Sequence, residues 1–241
     1  MPKSLTVAPL TALALALSCA VLAPAAHAAT PAALPDTLEQ RVAACTACHT
    51  MKERGDAFFP RIAGKPAGYL YNQLRNFREG RRRYPMMTYM VEHLSDDYLR
   101  EIAQYFSEQH PPYPAPETST ASATTLERGR TLVRHGDPAK KIPACVACHG
   151  ERLTGVAPAI PGLVGLPHDY INAQFGAWRN KVRRAATPDC MAEITSRLSD
   201  ADVAAVSSWL ASQQADAAVR PATATTLARP LPLQCGSVPA P

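Results

Sequence analysis

The sequence predicts an all-α fold built as two tandem domains. Three observations carry that expectation. The pentapeptide Cys45-Thr46-Ala47-Cys48-His49 recurs 100 residues later as Cys145-Val146-Ala147-Cys148-His149. A longer set of residues repeats with it: Pro60, Gly64, Pro66, Tyr69, Gln73 and Arg78 match Pro161, Gly165, Pro167, Tyr170, Gln174 and Arg179, all at an offset of 101. In both copies the apolar residues fall at helical spacing, and no segment alternates as a strand does.

The elements follow in order. Residues 1–28 read as a secretory signal: Lys3 starts it, an apolar run extends from about residue 10 to residue 22, Pro24 breaks it, and Ala26-His27-Ala28 has the small-x-small form of a cleavage site. The run is short for a membrane span. Ala16, three residues before Cys19, is not the large aliphatic that lipidation needs; retention of the signal as an anchor is the alternative. Residues 29–110 form the first domain. A short segment, 36–44, precedes its pentapeptide. Tyr69, Leu70, Gln73, Leu74 and Phe77 share one helical face, with Pro66 just before the start. Ser95 caps a later helix, with Asp96 and Asp97 in its first turn and an apolar stripe of Leu99, Ile102, Ala103 and Phe106. Residues 111–124 are a linker, stiffened by proline in its first half and polar and flexible in its second. The second domain, 125–219, repeats the plan. A helix at about residues 125–133 carries Gly129 for close helix contact. Tyr170, Ile171, Gln174, Phe175 and Trp178 form the next, and Ser199 caps the last. Leu94-Ser95-Asp96 matches Leu198-Ser199-Asp200 at an offset of 104, so three extra residues enter the second copy between its basic cluster and this cap. A Pro/Ala-rich tail, 220–241, ends the chain.

A Cys-x-x-Cys-His run is the attachment signature of c-type haem. Each thiol adds across one vinyl group, and the two vinyls sit on neighbouring pyrroles. Two intervening residues let one turn of chain reach both, and the following histidine then lies under the iron. A zinc site or a redox thiol pair is the competing reading of one copy; two copies, both followed by histidine in an exported chain, leave it little room. Two covalent c-type haems are therefore expected on Cys45, Cys48, Cys145 and Cys148, with His49 and His149 as axial ligands. A domain of this size has a meagre core, and a covalent haem supplies the missing apolar mass.

The second axial ligand is read from the repeat. Met86, Met87 and Met90 are the first-domain candidates, and Met191 is the sole one in the second. Met191 lies seven residues before Leu198, and Met87 lies seven before Leu94. Met87 and Met191 are assigned, the latter expected in a loop, although methionine is more often a core gap-filler. Pro60 and Pro161 are placed to offer a carbonyl to the ring N–H of His49 and His149. His93, His110, His135 and His168 lack counterparts in the repeat and read as surface or loop residues. Cys190 and Cys235, the cysteines left over by haem and signal, are expected to pair in an oxidising compartment.

The chain carries 25 basic and 20 acidic residues, and four haem propionates would bring the holoprotein near neutrality, so no nucleic-acid partner is expected. Basic residues cluster at Arg81, Arg82 and Arg83 and again from Lys181 to Arg184. A solvated turn, pairing with propionates and docking to an acidic redox partner are the readings open for them.

The order of motifs resembles the dihaem cytochrome c4 family: Cys-x-x-Cys-His, Pro-x-x-x-Gly, Tyr-x-x-x-Gln, a Met, then Leu-Ser-Asp, twice over residues 36–215. The resemblance implies two class I cytochrome c domains related by a pseudo-twofold axis, with His49/Met87 and His149/Met191 as axial pairs. It also implies a periplasmic electron carrier, free or membrane-associated, passing electrons towards a terminal oxidase. The sequence departs from the family in the missing long helix before Cys45, in Cys190 directly before Met191, and in the tail bearing Cys235. With both axial positions filled no catalytic residue is expected. The partners expected are redox proteins: a membrane oxidase or reductase complex, or a periplasmic dehydrogenase. Two alternatives stand beside the carrier. One is a dihaem enzyme of thiosulfate dehydrogenase or peroxidase type, with Cys190 as a ligand. The other is the dedicated cytochrome subunit of a dehydrogenase.

Overall fold

The structure, a computed structural model, describes residues 36–49, 58–215, 220–224 and 230–238; the signal assigned to residues 1–28 lies outside them. In the first domain the short segment before Cys45 is two single turns, α1 (Leu38–Arg41) and α2 (Ala43–Thr46). Then come α3 (Ala67–Arg78), α4 (Pro85–Val91) and α5 (Asp96–Glu108). The second domain opens with α6 (Ala123–His135), continues through α7 (Val146–His149) and α8 (His168–Arg179), and closes with α9 (Cys190–Arg197) and α10 (Asp200–Ala211).

Local chemistry sets the helix starts. The Ser95 hydroxyl accepts from the Tyr98 amide, and Ser122 accepts from Thr125. Ser199 and Asp202 form a reciprocal capping box. Pro66 and Pro167 stand just before α3 and α8, where their missing N–H costs nothing. Arg78 donates to the Leu94 carbonyl at 2.7 Å and pairs with Asp96; its counterpart Arg179 bonds the Leu198 carbonyl and Asp200. The matched arginines thus tie the Tyr-x-x-x-Gln helix of each repeat to the cap of its last helix.

The two cores differ as the helices before the pentapeptides differ. In the second domain α6 crosses α10 at Gly129, where a Cβ would lie 2.1 Å from the Ala205 carbonyl oxygen. No other residue allows that approach, and it brings Leu132 and Val133 onto Val206 and Leu210. Full burial of each such side chain is worth about 1.5–3 kcal/mol. Among the described residues the first domain has no such helix. There Val42, Leu70, Ile102, Ala103 and Phe106 form the core, built mainly by α3 against α5.

Three features differ from the sequence expectation. A two-residue antiparallel pairing joins β1 (Gly155–Val156) to β2 (Ile160–Pro161), too short to give an alternating pattern. The methionine assigned as a loop residue, Met191, is in the first turn of α9, capped by Asp189. The proline-rich part of the linker is not only stiff but pinned to both domains. The guanidinium of Arg61 donates to the carbonyls of Pro111 and Pro112, Tyr113 packs on the second core, and the Glu117 amide donates to Ala211. The tail is also held: Ala222 pairs beside Val156, and Cys235 bonds to Cys190.

The described part of the chain forms one compact unit. The repeats meet through the two basic clusters, where Arg82 and Arg183 pair as an antiparallel bridge flanked by Arg83 N–H to the Val182 carbonyl and Arg184 N–H to Arg81.

Candidate haem sites

Each pentapeptide forms a single helical turn. The His49 amide donates to the Cys45 carbonyl at 2.8 Å, and the His149 amide to Cys145 at 2.9 Å. One turn therefore gathers both thiols and the histidine, as attachment to neighbouring pyrroles needs. His49 Nδ1 lies 2.8 Å from the Pro60 carbonyl and His149 Nδ1 lies 2.7 Å from that of Pro161. A carbonyl only accepts, so each Nδ1 carries the proton and each Nε2 keeps its lone pair for a metal. Burial holds both imidazoles below the ordinary histidine value, which favours the neutral form that a metal ligand needs.

Each turn borders a cavity. The first, about 270 Å³, is lined by Cys45, His49, Phe77 and Met87; Cys48 lies exposed outside that lining. The second, about 180 Å³, is lined by Cys145, Cys148, His149 and Met191. Both far exceed the ~15 Å³ that holds a water. Met86 is exposed, and Met90 packs with Phe77 and Leu99 without lining the cavity. His93, His110 and His135 are exposed, His168 stands half-buried at the start of α8, and none lines either cavity. Burial pushes the Cys145 thiol up to about 12, the reverse of a reactive or metal-binding thiolate. Among the described residues no three His, Cys, Asp or Glu side chains converge as zinc ligands would. Cys190 is joined to Cys235, so it offers no thiolate to an iron.

A polar septum separates the cavities, and sequence reasoning missed most of it. Lys65, Tyr69, Gln73, Tyr170, Gln174 and Arg183 line both. Arg82 donates to Gln73, Tyr170 and Gln174; Arg183 donates to Gln174, Tyr69 and Gln73. Arg82 stacks on Phe77 and Arg183 on Trp178. Apart from Lys65, each of the polar residues in this set has an identical counterpart at an offset of 101, the signal that places Arg82 with Arg183. The buried guanidinium of Arg183 is lowered by burial and by its neighbour Arg82, and its hydrogen-bond acceptors are neutral. The Trp178 Nε1 is buried without a partner at the second cavity. Anionic carboxylates are what such donors lack, and haem propionates are carboxylates. The residues present fit two haems in donor chemistry as well as in shape.

Two thiol-bearing turns and two apolar cavities sharing one wall define a tandem dihaem c-type cytochrome, an electron carrier with two covalently bound haems. The chain belongs to the cytochrome c family, whose pattern it matches over residues 39–109 and 126–214, in the c4-like tandem arrangement. It is 39% identical over 194 residues to a thiosulfate dehydrogenase electron acceptor of Thiomonas intermedia, covering 79% of this chain and 84% of that one. It is 33% identical over 188 residues to a cytochrome c4 of Pseudomonas aeruginosa, covering 77% of this chain and 90% of that one. Among solved structures, a thiosulfate dehydrogenase of Marichromatium purpuratum superposes with a TM-score of 0.62 at 31% identity, over 69% of this chain and 36% of that longer one.

Proposed function

We propose that this protein is the dedicated periplasmic electron acceptor of a thiosulfate-oxidising dehydrogenase. The observation that carries the reading is the likeness, along 84% of its length, to a protein named as such an acceptor. The likeness favours the alternative of a dedicated dehydrogenase cytochrome subunit over a general shuttle towards a terminal oxidase, which rests on the c4 resemblance alone. In the proposed arrangement Cys45, Cys48, Cys145 and Cys148 hold the haems, with His49 and Met87 on one iron and His149 and Met191 on the other. Bound haem supplies a one-electron couple at each site. The protein's part is to orient each imidazole through Pro60 or Pro161, to raise the potential with a thioether relative to bis-histidine ligation, and to keep water from the cavities. The shared septum keeps the two sites close, so two electrons delivered in one encounter have separate places to go. Among the described residues no helix is long and apolar enough to cross a membrane.

The test is rapid mixing of the oxidised holoprotein with a thiosulfate dehydrogenase and thiosulfate, following the haem bands. Reduction of both haems within the enzyme's turnover time is expected, at roughly one per second or more. Reduction no faster than that of an unrelated class I cytochrome overturns the assignment, as does thiosulfate oxidation or peroxide reduction at such a rate by the purified chain alone.

A further inference from the structure

The septum is symmetric except where one cation crosses it. Tyr69, Gln73 and Arg82 have identical counterparts in Tyr170, Gln174 and Arg183, but Lys65 stands where the second repeat has Leu166. Lys65 belongs to the first domain, directly before Pro66 and α3. Its Nζ nevertheless donates to the Gly162 carbonyl of the second domain at 3.1 Å. Gly162 follows Pro161, whose carbonyl receives the His149 ring proton. An ammonium has three donors, and Gly162 is the one acceptor that Lys65 has among the described residues. The groups whose charge it feels are Tyr170, Arg61 and Arg183, with no carboxylate among them. Arg61, a cation that lines the first cavity alone, is committed to the linker carbonyls and to the face of Tyr113.

A half-buried cation without a carboxylate, lining both cavities but fastened to the loop that orients the second domain's His149, would act through space chiefly on the second iron. Reduction adds negative charge at the haem, so a nearby positive charge favours the reduced form. We propose that Lys65 of the first domain raises the reduction potential of the second-domain haem. A propionate of that haem would supply the anion that Lys65 lacks. This rests on the placing of a haem beside His149, and it holds whichever protein donates the electrons.

The experiment is a spectroelectrochemical titration of the intact holoprotein and its Lys65→Gln, Lys65→Leu and Lys65→Arg variants. Haem methyl resonances, assigned with Met87 and Met191 variants, report which haem moves. In both neutral variants the second haem's potential falls while the first stays near its wild-type value. The electron-exchange equilibrium between the sites then shifts by about tenfold, 59 mV for a one-electron couple. Lys65→Arg keeps the wild-type value. Equal shifts of both haems, a shift of the first alone, no shift, or a fall in the Arg variant equal to that in Gln overturns the proposal. Two titrating haems in every variant show that the haem assignment itself stands, and Lys65→Leu, the residue of the matching position, serves if Lys65→Gln does not mature.

Discussion

In the proposed arrangement Met87 and Met191 are the side chains on which the electronic character of both sites depends. Met87 is the third residue of α4 and Met191 the second of α9, and each lines the cavity of its own pentapeptide turn. Met87→Ala and Met191→Ala should each remove about half of the weak Met-to-iron charge-transfer absorption at the red edge of the visible. Loss of the first-domain share in Met86→Ala or Met90→Ala instead would contradict the placement. Asp202 is the residue whose ionisation matters most to the fold. Its carboxylate is almost fully buried and binds Arg128 at 2.8 Å and Lys140 at 2.7 Å while capping α10 through the Ser199 amide. These donors outweigh the burial penalty and hold its pKa well below the usual range. A depressed carboxylate contributes stability that is full above its unfolded value of about 4 and fades as pH falls through the folded value. Asp202→Asn should therefore cost about 2 kcal/mol at neutral pH. The gap from wild type should narrow in acid, read by denaturant unfolding along a pH series. A gap independent of pH would show that the charge is not what stabilises.

Among the elements, α9 and the tail act as one unit. Cys235 ties the tail to the first residue of α9, the Gly236 amide donates to Pro188, and Asn72 of the first domain donates to the Ser237 carbonyl. Leu231, Leu233 and Val238 thereby join Met191 in walling the second cavity. Closing that loop is worth roughly 4 kcal/mol in the chain-entropy account. Cys235→Ser should leave both haems attached while the second haem's Met band is lost at a lower temperature than in wild type, the first haem's band holding. Equal melting of the second haem's band in variant and wild type would show that the tail does not brace α9. The long helices are legible because their apolar residues keep a 3.6-residue period over three turns and because two of them, α5 and α10, start on Ser-Asp pairs. The short helices α4 and α9 are not. Pro85 to Val91 spans under two turns with methionines on several faces, and Cys190 to Arg197 spans little over two turns with Met191 and Ile194 as its large apolar residues, too short a run to read as a period. The repeat still found the methionines, since spacing to the next cap survives where periodicity is too short to read. It also paired Arg82 with Arg183 in principle, but a run of arginines looks like a solvated turn until its partner run is seen across the septum. Lys65 carried no signal, being a position where the repeat fails.

At the scale of the whole molecule the two domains are joined by residues that recognise their own copies. Arg82 and Arg183 each reach both glutamines of the pair Gln73 and Gln174, and each stacks on the aromatic residue ending the neighbouring helix of its own domain, Phe77 or Trp178. Such an arrangement couples the sites evenly. Neutralising either arginine removes one positive charge from a wall that both cavities share, so Arg82→Gln and Arg183→Gln should act alike. Both haem potentials should fall together in each variant, by a few-fold in the one-electron equilibrium or about 30 mV. This differs in kind from the one-sided effect of Lys65. The guanidiniums also hold the interface against neutral acceptors, where each charged hydrogen bond contributes about 1.5–3 kcal/mol. The double variant Arg82→Gln with Arg183→Gln should therefore unfold in two separate haem-monitored transitions where the wild type shows one. A single transition in the double variant would mean that the linker contacts of Arg61, and not the matched arginines, keep the two halves folding as a unit. A fall in only one potential in each single variant would mean that the septum is divided, with each arginine serving its own haem.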